Sequence, residues 1–157
     1  MKLYVRGYKK LGACSWLIRK FTFGTIAHTS LVFDLDDGKY IEIEALQGKG
    51  VISHLPRNPK EFDFIEYAIP VDDERVLECY VDSKATVGHK YDLKGIWGFV
   101  VRKDKHNPEK WFCSEHVAYR LLKIRYAISR RPPYKETPTS VCESYRLIAP
   151  TPEVGGA

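Results

Sequence analysis

The chain has 157 residues, of which 44% are hydrophobic and 29% charged, a balance that fits one globular domain with its own core and excludes a disordered chain. Its net charge of +5 is spread in small groups such as Arg19-Lys20, Arg102-Lys103 and Arg130-Arg131, which excludes the gathered basic stripe of a specific nucleic-acid binder. No stretch approaches the ~18 apolar residues of a spanning helix, and Met1 to Arg6 lacks the apolar run of a signal peptide, so a cytoplasmic product is expected.

In chain order, Leu3-Tyr4-Val5 reads as a short strand, and Ser15 to Phe21 as a short amphipathic helix or turn ended by Gly24. The clearest hairpin follows. Residues 28–35 and 39–45 alternate apolar and polar around Asp36-Asp37-Gly38, and Asp-Gly between alternating runs marks a tight turn. Placing Leu31, Phe33, Leu35, Ile41 and Ile43 on one face requires odd residues opposite odd ones, with Leu35 opposite Lys39 and Ser30 opposite Glu44. His28, Ser30, Glu42 and Glu44 then share the other face, with Glu44 a diagonal neighbour of His28. Taken singly, His28 reads as a histidine on a half-exposed strand, and Glu42 and Glu44 as solvated edge charges. Taken together, a carboxylate beside an imidazole fixes its tautomer and stabilises its charged form.

Residues 51–54 and 64–69 read as two further strands, each closed by proline, and Asp72 opens a helix on Val76, Leu77, Tyr80 and Val81. Asp92 is placed to cap an apolar helix through Ile96, Trp97, Phe99 and Val100. Asn107-Pro108-Glu109 reads as a turn or cap before a helix that starts near Cys113 and runs on Val117, Ala118, Leu121, Leu122 and Ile124 until Arg130-Arg131-Pro132-Pro133. Thr137-Pro138 caps a last short helix, Arg146-Leu147-Ile148 reads as a strand, and residues 1–150 form the single domain, with 151–157 a loose tail.

Cys14, Cys79, Cys113 and Cys142 are scattered without a Cys-x-x-Cys pair, so the thiols are expected reduced. Cys113 alone falls at a helix start, where unpaired N–H groups and the positive end of the macrodipole favour a thiolate. On these residues it reads either as a nucleophile or as a small buried hydrophobe. His116 reads as a surface residue one turn on, and His54, His89 and His106 show no ligand spacing, so neither metal nor cofactor is assigned.

Four pieces in sequence order carry a resemblance: Trp16-Leu17-Ile18-Arg19 before Ala27 to Val32; Gly38 to Ala45 with Gly50-Val51; Gly88-His89-Lys90-Tyr91-Asp92; and Phe112-Cys113-Ser114-Glu115. Over residues 14–122 the chain resembles the circularly permuted papain-fold cysteine hydrolases, the YaeF/YiiX-like branch of the NlpC-type superfamily, in which the histidine strand precedes the cysteine helix. The resemblance implies an α+β fold with an antiparallel sheet of about five to six strands packed against helices. It also implies a bacterial or phage amidase or peptidase: Cys113 nucleophile, His28 general base and acid, Glu44 the orienting third residue with Glu42 the alternative, and Tyr91 and Ser114 on the oxyanion or substrate side. Its partner would be a peptide, peptidoglycan-stem or acyl substrate. An acyltransferase or thioesterase on lipid-like substrates, or a non-catalytic binding module of the same fold, are the alternative outcomes.

Overall fold

A computed structural model of the chain describes residues 1–11, 15–92, 109–126 and 128–146. The expected helix after Asp92, the Asn107-Pro108 turn, Leu147-Ile148 of the expected last strand, and the tail lie outside the described residues.

The fold is α+β. Strands β1 (Lys2–Tyr8), β2 (His28–Asp34), β3 (Tyr40–Leu46), β4 (Gly50–His54) and β5 (Phe64–Ile69) form one antiparallel sheet in the order β4-β3-β2-β1-β5. A second, parallel pair joins β6 (Lys90–Tyr91) to β7 (Lys110–Trp111). The helices are α1 (Ser15–Thr22), α2 (Asp73–Ala85), α3 (Cys113–Lys123) and α4 (Pro138–Arg146), with a 3-10 turn at Pro133–Lys135.

The hairpin has the register its pattern demands: Leu31 pairs with Ile43 and Phe33 with Ile41, and the Leu35 N–H donates to the Lys39 carbonyl at 3.1 Å. Gly38 takes the left-handed conformation at φ 74, as a three-residue hairpin loop asks. Every other pairing also sets even residues opposite even ones, Tyr8 with His28, Arg6 with Glu66 and Glu42 with His54. Since side chains alternate along a strand, parity is conserved across all five strands. The odd face supplies Leu3, Val5, Leu31, Phe33, Ile43, Ala45, Val51 and Ile69 to one buried cluster with Val76 and Cys79 of α2 and Val117, Ala118 and Leu121 of α3. The even face carries the polar residues.

Four expectations are corrected. β3 is an inner strand, so Glu42 and Glu44 are fully buried, not solvated edge charges, and His28 is buried with them. In α2 the buried residues are Val76, Cys79 and Ser83, while Leu77 and Val81 face solvent. Helix α3 stops at Lys123, well before the prolines. Its end is a Schellman motif: the Tyr126 N–H donates to the Leu121 carbonyl at 2.9 Å and the Arg125 N–H to that of Leu122 at 3.0 Å, with Arg125 at φ 60 where glycine is usual. Arg146 closes α4 and begins no strand.

Gly50 links the sheet to the cysteine helix. It sits at φ 80, and the position a Cβ would take lies against the His89 carbonyl. Beside it the Val51 N–H donates to that carbonyl at 2.8 Å, the Gly88 N–H to Val51 at 2.9 Å, and the Asp92 N–H to Trp111 at 3.1 Å. Gly48, at φ 81, has open space around it. Gly50→Ala therefore combines a strained φ with a backbone clash and is expected to cost about 2–4 kcal/mol, against about 1–2 kcal/mol for Gly48→Ala, which carries the strain alone. Denaturant unfolding of both variants checks the difference; equal losses would refute the close packing at Gly50.

Candidate active site

His28 is the first residue of β2, and three contacts fix where that strand begins. It pairs with Tyr8, the Ala27 N–H donates to the Tyr8 carbonyl at 2.8 Å, and the Ile26 N–H donates to Thr139 Oγ1 of α4 at 3.0 Å. Cys113 is the first residue of α3. Phe112 caps the helix with extended backbone and no polar side chain, and only the return half of a capping box exists: Glu115 Oε2 accepts the Phe112 N–H at 3.4 Å. The Ser114 hydroxyl donates to the Glu136 carbonyl, tying the same turn to the 3-10 segment. Both residues are thus held by short connections at defined element ends.

These two elements bring Cys113, eighty-five positions from His28 in the sequence, close enough to the His28 ring for its sulfur to raise the proton affinity of the imidazole. On the other side of the ring, His28 Nε2 lies 2.5 Å from Glu44 Oε2. A carboxylate only accepts, so Nε2 carries a proton and Nδ1 is left for the sulfur. Burial presses the His28 imidazolium towards its neutral form, but the Cys113 sulfur and the Glu44 carboxylate outweigh burial and lift the pKa to about 10. Cys113 is fully buried, in an apolar cluster with Ile18 of α1 and Phe112, with Tyr91 packed against it. Tyr91 meets this cluster through Phe112, their ring centroids 5.9 Å apart. The Ser114 side chain is engaged with Glu136, and the backbone N–H groups of Cys113 and Ser114 are among those of the first helical turn that have no acceptor within the helix.

Glu44 and Glu42 divide the remaining polar groups of the even face. Glu44 accepts from His28, from His54 Nε2 at 2.9 Å, and from both terminal nitrogens of Arg57. Burial would raise its pKa, but these donors hold its carboxyl well below the ordinary range. Glu42 accepts from Tyr8 Oη and Ser30 Oγ, each at 2.6 Å, from the Arg57 N–H and Nη1, each at 3.2 Å, and from Arg6 Nη1 at 3.5 Å. The contact with the imidazole therefore falls to Glu44, while Glu42 secures β1, β2 and the loop after β4.

No family model matches the chain, and no curated protein matches its sequence.

His54 and Arg57 are the site neighbours that sequence reasoning missed. His54 sits at an even position of β4, so pairing β3 with β4 through Leu46 and Gly50 would have placed it opposite Glu42 and diagonal to Glu44. Arg57 lies in a loop with no periodicity, and no pattern marks it. His116, expected at the surface, is fully buried against α2. The Thr86 hydroxyl donates to Ser83 and so accepts from His116 Nε2, 3.1 Å away, while burial and the charge of Arg120 press the pKa down to about 3. It is a neutral core residue.

Glu42, Glu44 and His54 place one donor atom each within 4.8 Å of one another. The Arg57 guanidinium already lies on both carboxylates, so a cation would meet a fixed positive charge. The set fits a salt-bridge network, not a metal centre.

Because Glu44 resists protonation when folded but not when unfolded, its contribution to stability is full above its unfolded pKa of about 4.3 and falls as the pH drops below that. Glu44→Gln leaves Arg57 and the imidazoles buried without their counter-charge, an expected loss of about 3–5 kcal/mol at pH 7. Below about pH 4 the variant's stability should fall less steeply than that of the wild type. Denaturant unfolding at pH 7, 4 and 3 measures both; parallel pH curves would show that Glu44 is not ionised in the folded protein.

Proposed function

We propose that this protein is a cysteine hydrolase of the permuted papain type that cleaves an amide or related acyl bond through a Cys113 acyl-enzyme. The observation that carries the reading is the placement of one imidazole between a helix-start thiol and a buried, ionised carboxylate. In that order each group has a chemical task. The His28 imidazole takes the thiol proton, and Glu44 stabilises the imidazolium and holds its Nε2–H tautomer.

The thiolate then attacks the substrate carbonyl carbon. The oxyanion meets the backbone N–H groups of Cys113 and Ser114 at the positive end of α3. His28 passes its proton to the leaving amine or alcohol as the carbonyl–heteroatom bond breaks, giving a thioester. Water attacks the thioester, His28 accepts its proton, and the carbon–sulfur bond breaks to release the acid and the thiolate. Tyr91, packed against the cluster that holds Cys113, would border the acyl group. Since Cys113 is fully buried, a substrate enters only when a covering side chain moves, and among the described residues Ile18 and Tyr91 are apolar members of its surroundings contributed by other elements.

The order of elements supports the permuted family: the histidine strand β2 precedes the cysteine helix α3, and an antiparallel sheet packs on that helix. The apolar wall of Ile18, Phe112 and Tyr91 favours acyl groups with an apolar part, which keeps transfer to an amine or release from a thioester as the second reading.

Cys113→Ala and His28→Gln are each expected to lower turnover of amide, ester and peptidoglycan-stem compounds by at least about a thousandfold; Cys113→Ala should unfold at a temperature near that of the wild type, and His28→Gln at a lower one, since it takes a cation from the buried Glu44. Iodoacetamide should modify Cys113 ahead of Cys79, whose thiol burial pushes up to about 12. Peptide mapping by mass spectrometry reads the order of labelling. Modification of Cys79 with Cys113 inert would refute the nucleophile assignment.

A further inference from the structure

The loop after β4 closes the even face of the sheet, and it does so with charge. Arg57 reaches in from that loop to hold Glu44 with Nη1 at 3.0 Å and with Nη2, and to hold Glu42 with Nη1 at 3.2 Å. One guanidinium thus spans the carboxylate that touches His28 and the carboxylate that ties β1 to β2. Its plane packs on aromatic rings, 5.2 Å from the Tyr8 centroid and 5.7 Å from that of Phe62. Its side chain is only 14% exposed.

His54 completes the arrangement from the other side. Its Nε2 lies 2.9 Å from Glu44 Oε1 and its Nδ1 2.6 Å from the Leu55 carbonyl. Both partners only accept, so both ring nitrogens must donate, and His54 is an imidazolium in this structure. Hydrogen bonding to Glu44 raises its pKa against partial burial, in agreement with that geometry. Glu44 therefore carries an imidazolium on each oxygen, His28 on Oε2 and His54 on Oε1, and a guanidinium across both.

We propose that Arg57 and His54 are positioning residues of the Cys113–His28 pair, acting through the two oxygens of Glu44 to set its orientation and the strength with which it holds the His28 ring. This rests on the nucleophile reading of Cys113. Neither residue touches the sulfur, and both act through the carboxylate. With Arg57 holding both oxygens, the carboxylate has one rotamer, and the Nε2–H of His28 has one acceptor direction. With His54 charged, part of the field of Glu44 is already answered, so the imidazolium of His28 stays able to release its proton. The charged and titratable groups around this centre are Glu44 and Glu42 of β3, His28 of β2, Arg6 and Tyr8 of β1, Glu66 of β5 behind Arg6, and Cys113 of α3. Loss of one cation from this set raises the proton affinity of every group left in it, the Cys113 thiol included.

The test needs no substrate. The rate at which iodoacetamide modifies Cys113, followed by peptide mapping across pH 4–10, gives the half-point of thiolate formation in the full-length protein. The wild-type half-point is the reference for the variants. His54→Gln keeps a donor towards Glu44 but loses the charge, and Arg57→Gln loses charge and fork; each is expected to move the half-point up by about one pH unit. Arg57→Lys retains the charge and is expected to move it less than Arg57→Gln. Thermal melts run alongside separate this from a structural role, which lowers the melting temperature and leaves the half-point in place. Should Arg57→Gln not fold, His54→Gln and Arg57→Lys carry the comparison. A half-point that stays put in the folded variants overturns the positioning role alone. Cys113 inert to iodoacetamide across that pH range in the wild type overturns the nucleophile reading and this inference with it.

Discussion

A carboxylate buried at the centre of a sheet must be answered by positive charge, and the structure around Glu44 is built on that requirement. An isolated ionised carboxylate would cost several kcal/mol to bury, or would take up a proton. Here three cationic side chains from β2, β4 and the following loop converge on it. The same side chain therefore welds three segments together and keeps an imidazole oriented towards a thiol. Removing it would leave three cationic donors facing one another, so the fold and the candidate chemistry depend on one ionisation state.

Strand parity makes this concentration of charge possible. Four antiparallel pairings that all set even opposite even leave the odd residues to form an apolar layer against α2 and α3. The even residues are then free to be polar, provided they satisfy one another. Tyr8, Ser30, Arg6 and Arg57 do that for Glu42, much as His28, His54 and Arg57 do for Glu44. Apolar burial drives the sheet together on one side, while on the other specificity comes from a hydrogen-bond network in which a one-residue slip of any strand would turn a charge into the core.

What was legible in the sequence follows the same division. The hairpin register, and with it the approach of Glu44 to His28, could be read because Asp36-Asp37-Gly38 fixes the turn and the alternation on both sides is clean. The start of α3 was legible from the apolar period after Cys113. Its end was not, because an arginine fills the left-handed position that glycine would have advertised. His54 was hidden by a short strand with apolar residues at both parities, Val51 odd and Ile52 even, so that alternation gave no facing. Arg57 was hidden because loops carry no period. His116 was misplaced for a tertiary reason: the segment after α2 returns over α3 and offers Thr86 as its partner, which nothing local to α3 reveals.

Two cysteines buried in different clusters have contrasting surroundings. Cys79 lies within α2 among Val76, Ile124 and other apolar side chains of the main cluster, and burial there disfavours its thiolate. Cys113 is no more exposed, but it starts a helix where Cys79 sits inside one. The partial positive charge of the first turn and the contact with His28 meet at its sulfur. Burial penalises a lone thiolate, whereas a thiolate facing an imidazolium is half of an ion pair. In the proposed mechanism that pair would depend in turn on Glu44 keeping its charge, and so on the three cationic side chains gathered on the even face of the sheet.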